Sequence, residues 1–579
     1  MDTGLGLSVL PKEKHDALVS VAREFVHSKV GYSFSGDEQK TLKPFFTNID
    51  QRVFFMHSLP SNVMATLASM FSRLKNKRGI RGVFVDSFLP GLLVSNLCTS
   101  QDDVEPFLKN HEIKNLRDFI SYSSETRSKF EWFVSQAPEE AYTRLLADSQ
   151  KAKKFLGMWL DQYGHNSIAR MGEVWICFED VSILAAKSIE WTRPGAGYVE
   201  LSTRFVDREK AGVYPIDNEL RVLGTSASVI QNHLNSLFIL YADNLGDNLN
   251  GLFPNFLREK WGKLIEENGG KVEVGVAGET FDILGNLLPA ATLTSVAAAI
   301  SGESLPSVLR HLILDDTAEN LALVELILQE AGKVGADQFI RHYQPSDAEI
   351  RGWKHIPLTL FGGLERIVPF ITVPKNEIAK NIIEEAFFFR EEDEHLSILD
   401  IRDIVGELFI GGRDDHDKLP REFELVTVPF VGVMSFRGWR DLHRQGLSTH
   451  RRTLLTPSLG FYRYDKPQPP KLAKSFQIAK QSSQNVYVGL NQVPPVISQY
   501  ILPIGFRAGF IYSANLRQHE FCNWQRTKPS VNHEVRQIFL SIEKGLRDLY
   551  PWWHLFSRAN MTPAYIFARG SEVPLTQSL

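Results

Sequence analysis

The chain has 579 residues, too many for one ordinary hydrophobic core, so two or more domains are expected. It is 43% hydrophobic and 23% charged with a formal net charge of −4, which excludes a general DNA or RNA binder and leaves room for a local anion pocket. Cys98, Cys177 and Cys522 lie far apart, so neither a disulfide framework nor a cysteine metal site is expected, and a reducing cytoplasm is the natural setting.

In chain order, residues 1–50 mix short apolar groups with Gly and Lys and resist assignment. No basic start with a long apolar run opens the chain, so no secretory leader is expected. No stretch reaches the roughly 18 uncharged apolar residues of a membrane span. From "RVFFMHSLPSNVMATLASMFSRL" onward helical spacing dominates, through "DDVEPFLKNHEIKNLRDFISY" and "APEEAYTRLLADSQKAKKFLGMWLDQYGH". "EVWICFEDVSILAAKSIEW" alternates like a strand and then turns helical, and "TRPGAG" breaks it.

Next comes "YVELSTRFV", in which Glu200, Ser202 and Arg204 share one face of an extended chain and Leu201, Thr203 and Phe205 the other. "SASVIQNHLNSLFILYADNL" reads as a helix and "ENGGKVEVGVAGE" as a Gly-rich interruption. "GNLLPAATLTSVAAAISGESLPSVLRHLIL" and "AENLALVELILQEAGKV" again read as helical.

The second half repeats these themes. "REFELVTVPFVGVMSFRGWRDLHRQG" passes from strand to helix, "DKPQPPKLAK" is a Pro-rich loop, and "QYILPIGFRAGFIYSANLRQHEF" echoes the earlier Leu-Pro segment. Pro289 stands as far before Ser301 as Pro503 before Asn515. We expect a diverged internal duplication, with an N-terminal segment at 1–50, a first copy at 51–345 and a second at 346–579. The 16 histidines are scattered and show no HExxH-like spacing, so no metal site is expected.

The helix, break and "ELSTRF" together resemble the signature of the flavin-dependent thymidylate synthases. Glu200, Ser202, Arg204 and Phe205 match its second part; in its first part only Arg193 survives, and one extra residue precedes Glu200. "GHNS", with His165 and Ser167, resembles the segment lying beside the family's flavin. In the second half "REFE" matches a Phe-Glu step at Phe423 and Glu424, and Arg444 falls on the first signature arginine. Arg452, Leu454 and Thr456 stand where the family has Glu, Ser and Arg. Asn515, Arg517, Arg526 and Glu534 match its C-terminal helix pair, whose first-half counterparts are Ser301, Glu303 and His311 or Leu312. Gln499 replaces an arginine of the family.

The resemblance implies an α+β fold, helices on a twisted, mostly antiparallel sheet, present twice as a pseudo-dimer. It implies methylation of dUMP to dTMP with methylenetetrahydrofolate, FAD and NADPH, in a homo-oligomer of the fused chain without nucleic-acid or membrane partners. Glu200, Ser202, Arg204, Arg526 and Gln499 would hold dUMP. His165, Ser167, Arg193, Arg444, Asn515 and Arg517 would hold FAD. Because the copies have lost complementary residues, one composite site is expected; the alternative is a catalytically inactive relative serving as a nucleotide- or flavin-binding module or a structural scaffold. Taken without the family, the Glu-x-Ser-x-Arg row is a solvated strand face, and Asn515 and Arg517 cap a helix or pair with Glu520.

Overall fold

The computed structural model describes residues 6–72, 78–95, 97–98, 100–162, 166–191, 194–201, 212–353, 358–361, 368–369, 413–414 and 417–562. Helices combine with two antiparallel sheets of four strands each, the mixed helix and antiparallel-sheet architecture expected. The chain forms two compact units. One comprises Met1–Gln231, Ala290–Trp353 and Asn491–Tyr500; the other comprises Asn232–Pro289, Lys354–Leu490 and Ile501–Leu579. This partition differs from the boundary expected near residue 345, because 232–289 pack with the second unit and 491–500 with the first.

In the first unit the strands are β1 (Val53–Met56), β2 (Glu173–Ser182), β3 (Ala196–Glu200) and β4 (Leu293–Ser301), in the order β1-β2-β4-β3. β4 was expected to be helical. It is a central strand whose residues are nearly all buried, so "LTSVAAAIS" shows no alternation and periodicity cannot separate strand from helix. β1 likewise interrupts the expected helical run, because all four of its residues are buried beside β2. The expected interruption at "ENGGKVEVGVAGE" is confined to residues 268–271; from Val272 to Leu284 the chain is a helix in the second unit, buried along most of its length. Burial there outweighs the low helix propensity of its glycines.

Residues 1–50 contribute helix α1 (Lys12–Val26), which packs on a helix of the same unit at Ala318–Ala331, with Arg23 Nε 2.6 Å from Glu325 Oε2. The core lies between β1 and the helices of residues 61–130, where Phe46 meets Phe54 and Phe84 edge-on at 5.7 and 5.8 Å. Val199 and Leu201 pack against this core.

β2 carries a bulge between Phe178 and Val181, with Asp180 at φ 53°. The bulge turns Glu179 toward fully buried Arg81, with Nη2 2.8 Å from Oε2. At the end of β4, a Cβ added to Gly302 would sit 2.6 Å from the Phe339 ring and 2.8 Å from the Ala169 carbonyl oxygen. Gly302→Ala is therefore expected to lose about 1–3 kcal/mol in urea unfolding, since the backbone oxygen cannot move aside as a side chain could.

In the second unit the strands are β5 (Val368–Pro369), β6 (Thr427–Ser435), β7 (Ser448–Arg452) and β8 (Arg507–Asn515), in the order β5-β6-β8-β7. Phe361 lies over Gly509 and closes a small core with Val431 and Val433. The Pro-rich stretch is only partly a loop. A helix runs from Pro470 to Gly489, with proline in its first turn where no backbone N–H is required.

Candidate functional site

Each sheet feeds a helix through the same corner. In the first unit Ser182 ends β2 and caps helix α2 (Ile183–Ile189), its Oγ accepting the Ala185 N–H at 3.0 Å. Its own N–H and Oγ donate to Glu319 at 2.8 and 2.6 Å, at the start of helix α3 (Ala318–Ala331). In the second unit Ser435 ends β6 and caps helix α4 (Phe436–His443), with the Gly438 N–H on its Oγ at 3.0 Å. Its N–H donates to Glu534 at 2.8 Å and its Oγ to the other carboxylate oxygen, near the start of helix α5 (His533–Leu549). Burial pushes both carboxyls above their ordinary range, although the serine bonds oppose it.

A second anchor is sheet register. Glu200 of β3 pairs with Val296 and Arg452 of β7 with Phe510, at matching positions of the two central strands. Between corner and pairing the first unit is one residue longer, the extra residue expected before Glu200.

The two corners carry different chemistry. Glu200 is 4% exposed, on the opposite face from core-packing Val199 and Leu201. Lys187 of α2 donates to it at 2.8 Å and also pairs with Glu190, and Thr294 donates at 3.3 Å. A carboxylate so buried is tolerated because the Lys187 ammonium faces it. Glu200 is therefore neither a solvated side chain nor part of the apolar core. The positions matching Lys187, Glu190 and Glu200 hold Arg440, His443 and Arg452, also buried. Arg452 lies 5.1 Å over Phe436 and 5.3 Å over Trp439, which stacks on His443 at 4.5 Å.

The second unit also gathers the residues of the "NLR" segment. Asn515 ends β8 and caps the helix Leu516–Arg526, accepting the Gln518 N–H at 2.8 Å. This leaves its amide N–H₂ group outside the cap bond. Arg517 pairs with Glu424 rather than Glu520, whose carboxylate is bound to Arg413 and Arg558 at 2.9 and 2.8 Å. Arg517 Nε is buried without a hydrogen-bond partner among the described residues.

Cys522, one turn on, donates to Gln445 at 3.3 Å, fixing the loop that carries exposed Arg444 against this helix. Arg526, at the helix end, adds a positive charge beside Cys522. An orphaned guanidinium N–H and an amide with donors to spare suit an anionic, carbonyl-rich cofactor such as FAD.

In the first unit the counterparts of these residues are engaged internally. Ser301 Oγ donates to Ser304 Oγ at 3.0 Å, and Glu303 holds Arg170 in a two-pronged pair. His311 stacks on Trp191 at 4.4 Å and lies 3.3 Å from Asp315.

Of the other expected residues, Gln499 is a buried member of the first unit, donating to the Val496 carbonyl at 3.3 Å. Ser167 is exposed on a short helix, Asn166–Ala169. His165, Arg193, Ser202 and Arg204 lie outside the described residues. Sequence reasoning missed Lys187, Glu190 and Glu319. The first two stand one helical turn apart, and Glu319 follows from setting α3 against α5.

Among the described residues no group of three or more His, Cys, Asp or Glu side chains could hold a metal ion, and no helix is long and apolar enough to cross a membrane.

A family model described as thymidylate synthase complementing protein matches residues 120–333. That stretch holds "GHNS" and "ELSTR"; the resembling segments after residue 360 fall outside it. A UPF0159 protein of Chlamydia muridarum is 24% identical over 562 residues, covering 91% of this chain and 96% of its own. A UPF0159 protein of Thermoplasma acidophilum is 24% identical over 444 residues, covering 67% and 85%. Among solved structures, a UMP/dUMP methylase of Streptomyces cacaoi bound with 5-Br UMP aligns at 13% identity and a TM-score of 0.24, over 34% of this chain and 94% of that one.

Proposed function

We propose, from the premise that residues 120–333 belong to the thymidylate synthase complementing protein family, that this chain is a flavin-dependent thymidylate synthase-like protein. It is a diverged internal duplication acting on dUMP, with FAD, methylenetetrahydrofolate and NADPH. The matching sheet orders and the two Ser-Glu corners support the duplication. One composite nucleotide and flavin site is expected, drawing "ELSTR" from the first copy and Asn515, Arg517 and Arg526 from the second. The observation that carries this reading is the complementary state of matching positions. Ser301 and Glu303 are tied into the protein, whereas Arg517 keeps a buried N–H without a partner among the described residues.

When bound, the flavin supplies the reducing hydride. The chain's own residues would position and polarise. Arg517 Nε donates to the flavin's anionic or carbonyl oxygens, with its angle set by the Glu424 pair. Asn515 adds amide donors from a helix start, where the dipole favours negative charge. Arg526 donates to the pyrimidine, and Glu200, braced by Lys187, holds the end of β3 in register.

The test is a visible absorption spectrum of the purified full chain with FAD, before and after dUMP. Bound flavin whose bands shift with dUMP is expected, and Arg517→Ala should weaken FAD binding about tenfold or more, the usual loss of one charge-assisted bond. A colourless protein indifferent to both ligands would overturn the reading in favour of a scaffold.

A further inference from the structure

A cavity of about 340 Å³ opens in the first unit, beside the end of β4 and the first turn of the helix Leu305–Asp315. That volume lies in the range of small-molecule sites, roughly 300–1,000 Å³. None of the described residues proposed for FAD or dUMP lines it. One side is apolar, built from Leu160 and the ring of Phe339, which packs over Gly302. The other side carries Arg310, Arg341 and Ser307.

The guanidiniums are held in place before any ligand arrives. Arg310 donates to the His342 carbonyl and reaches Glu349 at 3.4 Å, while its Nε is buried without a partner among the described residues. Arg341 Nε donates to the Gln338 carbonyl at 2.8 Å. Among the described lining residues the one carboxylate, Glu303, is paired with Arg170. The cavity thus presents guanidinium and hydroxyl donors on one side and a flat apolar surface on the other, at a helix start where the dipole adds to the attraction of an anion.

We propose that this cavity is a binding site for a small aromatic anion, its charged group between Arg310 and Arg341 and its ring against Phe339.

The test uses the full chain and 1-naphthyl phosphate, followed by calorimetric titration, with inorganic phosphate and 1-naphthol as the charge-only and ring-only arms. Saturable binding of naphthyl phosphate is expected, tighter than either arm, with Kd raised about ten- to hundredfold by Arg310→Gln or Arg341→Gln. Ser307→Glu, which places a negative charge on the cavity wall, should weaken it too.

Absence of binding would overturn the proposal, as would equal binding of inorganic phosphate or affinity unchanged in all three variants. Circular dichroism establishes that each variant is folded. Arg517→Ala, which should lose FAD, is expected to bind naphthyl phosphate normally, so this site and the proposed flavin site fail separately.

Discussion

Glu319→Ala is expected to destabilise the protein by about 3–4 kcal/mol, because it removes a buried acceptor from three donors at once. Those donors are the Ser182 N–H at 2.8 Å, the Ser182 hydroxyl at 2.6 Å and the Tyr500 hydroxyl at 2.8 Å. All three lie inside the first unit, and only the Tyr500 hydroxyl has a second described acceptor, Thr317 Oγ1 at 3.5 Å. Glu534→Ala in the second unit, where only Ser435 donates in the described structure, should cost less, about 2–3 kcal/mol.

Glu319→Gln keeps a carbonyl for the Ser182 N–H and removes a charge that burial disfavours, so it should stay within about 1 kcal/mol of the parent. Urea unfolding of the three variants checks the order. A Glu319→Ala protein as stable as the parent would show that the corner is held by the sheet alone.

The second large effect depends on pH. Glu219 is buried with the Tyr214 hydroxyl 2.5 Å from its Oε1. Tyr214 lies 5.3 Å from Tyr500, the partner of Glu319. Burial raises Glu219 from its usual 4.5 to about 8; the Tyr214 bond opposes the shift and the Glu319 charge adds to it. The folded state therefore retains a proton that the unfolded chain releases, so stability falls as pH rises from 4.5 toward 8.

Buried His519 and His533, lowered from 6.5 to about 4, act in the opposite sense, and their contribution is complete only about one pH unit above 6.5. Carboxylates lowered by arginine partners, such as Glu325 and Glu273, act below 4.5. Between pH 6.5 and 8.5 Glu219 contributes a fall of about 2 kcal/mol, read as the difference between the parent and Glu219→Gln, because Glu319 and Glu534 are raised by burial as well. Glu219→Gln should flatten the slope to that extent. An unchanged slope in that variant would place the titrating group elsewhere.

The sequence by itself determined what local pattern can encode. The strand-to-helix passages at 173–191 and 427–443 were legible because polar–apolar alternation gives way to helical spacing at a capping serine. The extra residue before Glu200 and the alignment of Glu200 with Arg452 were legible as well, because both are counts along the chain. Asn515 as a helix cap needed only its side chain's affinity for backbone N–H groups.

What only the tertiary structure decided was everything set by burial on two faces or by distant partners. β1 and β4 read as helix because a strand covered on both sides loses its alternation. The grouping of 232–289 with the second unit and 491–500 with the first depends on contacts far apart in sequence. Glu200 turned inward because Lys187, thirteen residues earlier, supplies the opposite charge that makes a buried carboxylate tolerable.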